Sequence, residues 1–340
     1  MNSRADALAA FLARSHWAGW LRRPLAGDAS NRRYERLTGP FGDTLVLMDA
    51  APDKGEDVRP FLRIAAHLAG LGIASPAVLA QDTHLGFLVL EDLGDDLFAR
   101  VLAHAPHREA ELYAMATDLL IALHQHPAPP DLPRFQPPFT PDFIALAHAW
   151  YRPGATGQVP EDTGAFCAVL NAALLAHAND QSVLILRDFH AENLVLRGGQ
   201  TGLARVGVLD FQDAMAGHRA YDLVSLLGDA RRDVAPDTAN AMIARYIAAT
   251  GQDSDAFRAA CAVLSVQRNL RILGVFARLC LHFGKSQYVA MIPRVWGHLM
   301  RDLAHPALHD LRRLTLAQLP APTPDHLNHL RARCATVLKP

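Results

Sequence analysis

The sequence predicts an α+β chain in two lobes, a small β-rich N-terminal lobe and a large, mostly helical C-terminal one. Three observations lead there. At 340 residues the chain exceeds what one hydrophobic core usually serves. Up to Leu90 it is rich in short strand-like runs around a single helical segment. After Gly94 the texture turns helical, interrupted once by a strand-loop-strand segment over 183–211. The expected lobes are 1–92 and 93–340.

Met1 to Leu21 carries an amphipathic pattern in Leu8, Phe11 and Leu12, broken by Arg14 and His16. It lacks the apolar core and cleavage site of a secretory leader. Leu25–Leu37 reads as strand, tight turn and strand around Gly27-Asp28-Ala29-Ser30. Leu45–Met48 and Gly86–Leu90 are strand runs, and the helix between them, Val58 to Gly70, stops at Gly70-Leu71-Gly72. Arg108–Gln125 has the helical stripe Leu112, Met115, Leu119, Leu120, Leu123. Seven prolines over Pro127–Pro141 require an ordered loop or linker. Helices are expected at 141–151 and 162–178, then at 221–231, 236–249, 255–283 and 288–303.

Within the strand-loop-strand segment, Val183–Leu186, Leu194–Arg197 and Ala204–Leu209 are apolar runs, and Gly198-Gly199-Gln200-Thr201-Gly202 is a turn. Asp188 follows the first run, Asn193 precedes the second and Asp210 follows the third. If the second and third runs pair as a hairpin, Asn193 and Asp210 lie side by side at its open end and can share one cation. Two protein ligands suffice for magnesium, which completes its shell with water and substrate phosphates. A carboxylate that orients an attacking hydroxyl, with an amide and a second carboxylate on the metal, is the equipment of phosphoryl transfer. The pattern implies a kinase-like fold with nucleotide between the lobes, where ligand sites commonly form.

Net charge is −1, so no basic footprint points to nucleic acid and no polybasic run to a membrane surface. No apolar window is read as long enough for a membrane span. Cys167, Cys261, Cys280 and Cys334 stand far apart and read as reduced thiols of a cytoplasmic protein. Nothing in the sequence sets an oligomeric state.

On these residues the chain resembles the aminoglycoside phosphotransferase superfamily of small-molecule kinases, and within it the bacterial N-acetylmuramate/N-acetylglucosamine 1-kinases of cell-wall recycling. The likeness runs from about Leu25 to Leu303. It rests on Gly27-Asp28-Ala29-Ser30 with Arg32-Arg33-Tyr34, Gly86 to Gly94, Arg187-Asp188-Phe189-His190, Leu209-Asp210-Phe211-Gln212-Asp213, Tyr221-Asp222 and Gln267-Arg268-Asn269.

The resemblance implies Asp188 as catalytic base, Asn193 and Asp210 as ligands of Mg2+, and ATP as donor. Gly27, Ser30, Arg33, Glu91 and Leu93 would contact the nucleotide, the last two through main chain. Asp222 would bond the loop backbone, or else serve as a plain helix N-cap. His190 would have a structural place in the loop or bond a phosphate. Gln212, Asp213, Arg268 and Asn269 are the polar candidates for a small-molecule sugar acceptor, and Arg268 could meet a lactyl carboxylate. The implied reaction is phosphorylation of an amino sugar at its anomeric hydroxyl. Another hydroxyl acceptor (an aminoglycoside, a choline-like alcohol, a hydroxy amino acid) and a nucleotide-binding pseudokinase are the alternatives. The chain departs from the wider kinase pattern at Met48, where a strand lysine would stand, and at Phe61, near its helix glutamate partner. Losing both together is coherent, since deleting one alone would bury an unpaired charge at about 3–5 kcal/mol.

Overall fold

A computed structural model describes residues 3–25, 31–159 and 162–337. In chain order its elements are α1 (Arg4–Ala13), β1 (Leu21–Pro24), β2 (Arg33–Thr38), β3 (Thr44–Asp49), α2 (Arg59–Gly70), β4 (Val78–Asp82), β5 (Phe87–Glu91), α3 (Phe98–His104) and α4 (Glu109–Leu123). There follow α5 (Pro141–Ile144), a π-turn (Ala147–Tyr151), α6 (Arg152–Thr156), α7 (Gly164–His177), β6 (Val183–Ile185), β7 (Leu194–Leu196), β8 (Val206–Val208) and β9 (Met215–Gly217). Helices α8 (Ala220–Leu227), α9 (Pro236–Thr250), α10 (Ser254–Leu281), α11 (Ile292–Asp302), α12 (His309–Gln318) and α13 (Pro324–Ala332) complete the chain.

These elements form two compact units: Met1–Pro106 with Ala191–Ala214, and His107–His190 with Met215–Pro340. The division differs from a single break after Asp92, because Leu93–Pro106 and the β7–β8 hairpin belong with the N-terminal strands.

The first unit is built on an antiparallel sheet of order β1-β2-β3-β5-β4. Strand alternation fixes its two faces. Leu37, Leu47, Phe87 and Val89 share one face and bury Leu8, Phe11 and Leu12 of α1 against it. Tyr34, Arg36, Val46, Met48, Leu88 and Leu90 share the other. α1 opens with a capping box between Ser3 and Asp6, which satisfies donors at its first turn. Gly86 turns β4 into β5 at φ +73°, and a Cβ there would stand 2.0 Å from the Ala50 carbonyl oxygen. Only glycine fits. The β7–β8 hairpin is stitched in at both sides: Val208 N–H donates to Ala74 O at 2.8 Å and Leu196 N–H to Asp96 O at 2.8 Å.

The second unit packs helices around α10, whose middle is buried from Phe257 through Leu270 almost without a break. Gly274 lets α10 approach the chain at Leu146, where a Cβ would lie 2.4 Å from the backbone. Strands β6 and β9 pair antiparallel. The proline-rich loop is ordered: Phe135 N–H donates to Ala216 O, and Ala216 N–H to Pro133 O, each at 2.8 Å. One expectation is corrected here. By length and composition α10 does hold a stretch able to cross a membrane, but 72% of that stretch is buried inside the protein, so its apolar residues are core.

Candidate active site

Asn193 and Asp210 come together in the first unit through strand register. Leu194 pairs with Val208, Val195 with Gly207 and Leu196 with Val206. The ladder runs one step further, since Leu209 N–H donates to Asn193 O at 2.9 Å. Asn193 therefore enters one strand beside the exit of the other, with Asp210 next in line. Asp210 itself is left-handed, φ +56°, a conformation that short polar side chains tolerate best. Gln212 Nε2 donates to Asp210 Oδ1 at 2.7 Å and orients the carboxylate. Phe211, fully buried, packs its ring on Phe61 of α2 at 4.8 Å between centroids. Position 61 thus makes an apolar contact under the residue that follows Asp210. The donor set, an amide oxygen and a carboxylate, is hard and oxygen-only, which suits a magnesium-type cation completed by phosphate oxygens.

In the second unit, β6 delivers Leu186, Arg187 and Asp188. Arg187 is left-handed, φ +70°, where a bulky residue is strained. Asp222 of α8 holds it there. Its Oδ2 accepts from Leu186 N–H at 2.6 Å and its Oδ1 from Arg187 N–H at 2.9 Å, while Ser225 Oγ donates to Arg187 O at 3.1 Å. Asp222 is not the N-cap of α8, a position held by Arg219. It is 0% exposed, and burial pushes its carboxyl up to about 7 against the opposing pull of the two N–H donors. Asp188 is thereby carried on a strained, doubly anchored turn. His190 is buried, with Arg231 Nη1 3.4 Å from its Nε2. Burial first, then the charges of Arg231 and Arg268, drive its pKa well below the ordinary range, so the ring is neutral.

The remaining candidates are distributed unevenly. Gly27 and Ser30 lie outside the described residues. Arg33 is exposed, and the register puts it with Glu35 and Leu37, on the α1 face of the sheet and away from the Met48 face. Arg36 shares the Met48 face and is held by Asp92 at 2.6 Å and Asp95 at 2.7 Å. Arg32 pairs with Glu56 at 2.9 Å. Glu91 ends β5, its side chain on Arg197 at 2.7 Å, and half-buried Leu93 lies over Gly207. Asp213 is exposed, whereas Gln212 serves Asp210 as described. Arg268 is buried on α10. Asn269 is turned into the interior, its Nδ2 donating to Ser265 Oγ at 3.2 Å, and Ser265 in turn bonds Asp302 of α11. Ser225 carries no assigned role in the sequence reading, although it stands three residues after Asp222, on the same side of the helix.

The sequence profile described as the phosphotransferase enzyme family (APH) matches residues 22–260. The chain belongs to this family. It is 38% identical to the N-acetylmuramate/N-acetylglucosamine kinase of Caulobacter vibrioides, over 92% of this chain and 95% of that protein. To the protein of the same name in Pseudomonas aeruginosa it is 36% identical, over 87% and 88%. Among solved structures it is similar to an amicoumacin kinase in complex with AMP-PNP, Ca2+ and its ligand. There the TM-score is 0.60 at 14% identity, covering 92% of this chain and 98% of that one. At that identity the likeness establishes the kinase-like fold.

Proposed function

We propose that this phosphotransferase is an amino-sugar kinase, transferring the γ-phosphoryl group of Mg-ATP to the anomeric hydroxyl of N-acetylmuramate or N-acetylglucosamine. The observation that carries the phosphoryl-transfer part is the Asp188 turn, whose left-handed Arg187 is pinned by Asp222 and Ser225. A fold stores strain of this kind where a side chain must be presented accurately. The acceptor class follows from the two relatives named for it, which match nearly the whole chain.

Asp188 accepts the hydrogen bond of the acceptor hydroxyl and orients its oxygen for in-line attack. Asn193 and Asp210 would hold the magnesium ion, which supplies charge neutralisation at the phosphates. Gln212 keeps Asp210 facing its task. The main chain of Glu91 and Leu93 is proposed to meet the base of the nucleotide. Neutral His190 keeps positive charge off the turn that carries Asp188. Free thiols suit the reducing cytoplasm, where nucleotide is abundant.

An acceptor panel in a coupled ATP assay tests the reading, with both N-acetyl sugars, kanamycin and choline as acceptors. Magnesium-dependent turnover of an N-acetyl amino sugar is expected, and Asp188→Ala should lower kcat by roughly 10²–10⁴. Turnover of kanamycin or choline alone contradicts the acceptor assignment. Nucleotide binding without transfer to any acceptor would make the chain a pseudokinase.

A further inference from the structure

The arginines of this protein are mostly spoken for. Arg245 pairs with Asp118 at 2.6 Å, Arg294 with Asp233 at 2.7 Å and Arg232 with Glu109 at 3.2 Å. Arg268 and Arg271 of α10 are different. Arg268 is only 9% exposed and Arg271 is half-buried, yet neither has an ion pair or side-chain hydrogen bond among the described residues. Neither guanidinium is sealed from water, so both can reach a ligand, and five N–H donors in a planar fork suit a carboxylate.

Their surroundings suggest what the partner is. The two stand three residues apart, on one side of the helix. Arg271 lies over the ring of Phe143, 4.6 Å from its centroid. Phe143 stacks on Phe139 at 4.8 Å, and Phe135 joins Phe139 at 4.7 Å and Tyr221 at 4.8 Å, making an aromatic wall. Phe139 and Phe143 are only half-buried, so the wall has an open side. Asn171 clamps Phe139 in both directions, accepting from its N–H at 2.7 Å and donating to its carbonyl at 2.9 Å. Burial pushes Arg271 below its ordinary pKa, and Arg187 and Arg278 push it further; Tyr221 and Asp188 oppose them. Asp188 is therefore within electrostatic reach of a guanidinium short of negative charge.

We propose that Arg271, supported by Arg268, is the seat for a carboxylate carried by the acceptor sugar, beside the aromatic wall of Phe139 and Phe143. The inference rests on the amino-sugar kinase reading and adds to it the residue that chooses between the acceptors. N-acetylmuramate is N-acetylglucosamine with a lactyl ether on O3, and that ether ends in a carboxylate. Arg271 makes this group a source of binding, so the acid is the preferred substrate.

Three acceptors decide the matter: N-acetylmuramate, its methyl ester and N-acetylglucosamine, each by kcat/KM. The wild-type protein should favour the acid over its ester by about 10- to 100-fold, the worth of a charge-assisted pair. Arg271→Gln should lower the ratio of acid to N-acetylglucosamine by a similar factor, and Arg271→Lys, which keeps charge and loses the fork, should restore part of it. Acid and ester used within threefold of each other by the wild type would overturn the inference without any variant. So would an equal loss on acid and N-acetylglucosamine in Arg271→Gln, or wild-type turnover of N-acetylglucosamine with none of the acid. Turnover of neither sugar removes the kinase reading itself, and the inference with it.

Discussion

Replacing Asp222 by Asn separates what this carboxylate does for stability from what it does for catalysis. Its pKa moves from 3.8 to about 7 on burial, so by neutral pH ionisation has cost the fold about 4 kcal/mol relative to the protonated form. Asn removes that charge in the same shape. It also turns an NH2 toward one of the two backbone N–H donors, losing a charge-assisted bond and stranding a buried donor, at roughly 2–4 kcal/mol. The two effects nearly cancel, and denaturant unfolding should show a net change within about 2 kcal/mol. Catalysis has no such compensation. Arg187 keeps its left-handed turn only while both N–H groups and its carbonyl are held, and a misplacement of about 1 Å at Asp188 is worth on the order of 100-fold in kcat. The pH dependence carries a definite sign. A carboxyl raised in the fold contributes stability that is present below its unfolded pKa and is lost as pH rises through about 7. Asp222→Asn should thus gain on the wild type between pH 5 and 8. A variant with kcat within threefold of wild type, or one whose stability falls further behind as pH rises, would refute this reasoning.

Buried histidines give the opposite slope. Burial lowers His124, which bonds Tyr246 Oη at 2.7 Å, to about 3, and His148, which bonds Gln318 at 2.9 Å, to about 4. Their contribution is present above the unfolded pKa and lost as pH falls, so the advantage of wild type over His124→Gln or His148→Gln should shrink by about 2 kcal/mol each between pH 7 and 5; an unchanged gap in urea unfolding would contradict the assignment. Phe61→Ala empties the ring contact beneath Phe211 and should destabilise the protein by about 3–5 kcal/mol. Because Phe211 follows Asp210, the same variant should need more magnesium for half-maximal rate; a magnesium curve identical to wild type would show that the packing does not reach Asp210.

The parts of this site that were legible in the sequence are those fixed by local rules. Hairpin register set by a glycine-rich turn placed Asn193 beside the strand that ends at Asp210, and no tertiary information was needed. Asp222 was legible only as one of two readings, because an acid at the head of a helix serves as a cap or reaches elsewhere, and partners 35 and 36 residues away decide between them. The side of the sheet that Arg33 takes is set by pairing across β3, which the sequence does not display. A slip of one residue in that register would exchange the faces, and Arg33 is the first residue of the strand. Asn269 lies inside the packing of α10 against α11, where its Nδ2 bonds Ser265, a burial that a polar stretch of sequence does not display. β4, β9, α3, α6, α12 and α13 were not read, and β1 ends at Pro24, ahead of the strand expected from Leu25; β9 is three residues of Met, Ala and Gly that pair only because β6 is already in place.

The most direct measurement is the phosphorus NMR spectrum of the product made from Mg-ATP and N-acetylmuramate or N-acetylglucosamine. The account predicts a phosphate resonance coupled to the C1 proton of the sugar, formed by the wild type and lost with Asp188→Ala. A phosphate coupled instead to the C6 protons, or the same product yield from the Asp188 variant, would contradict it.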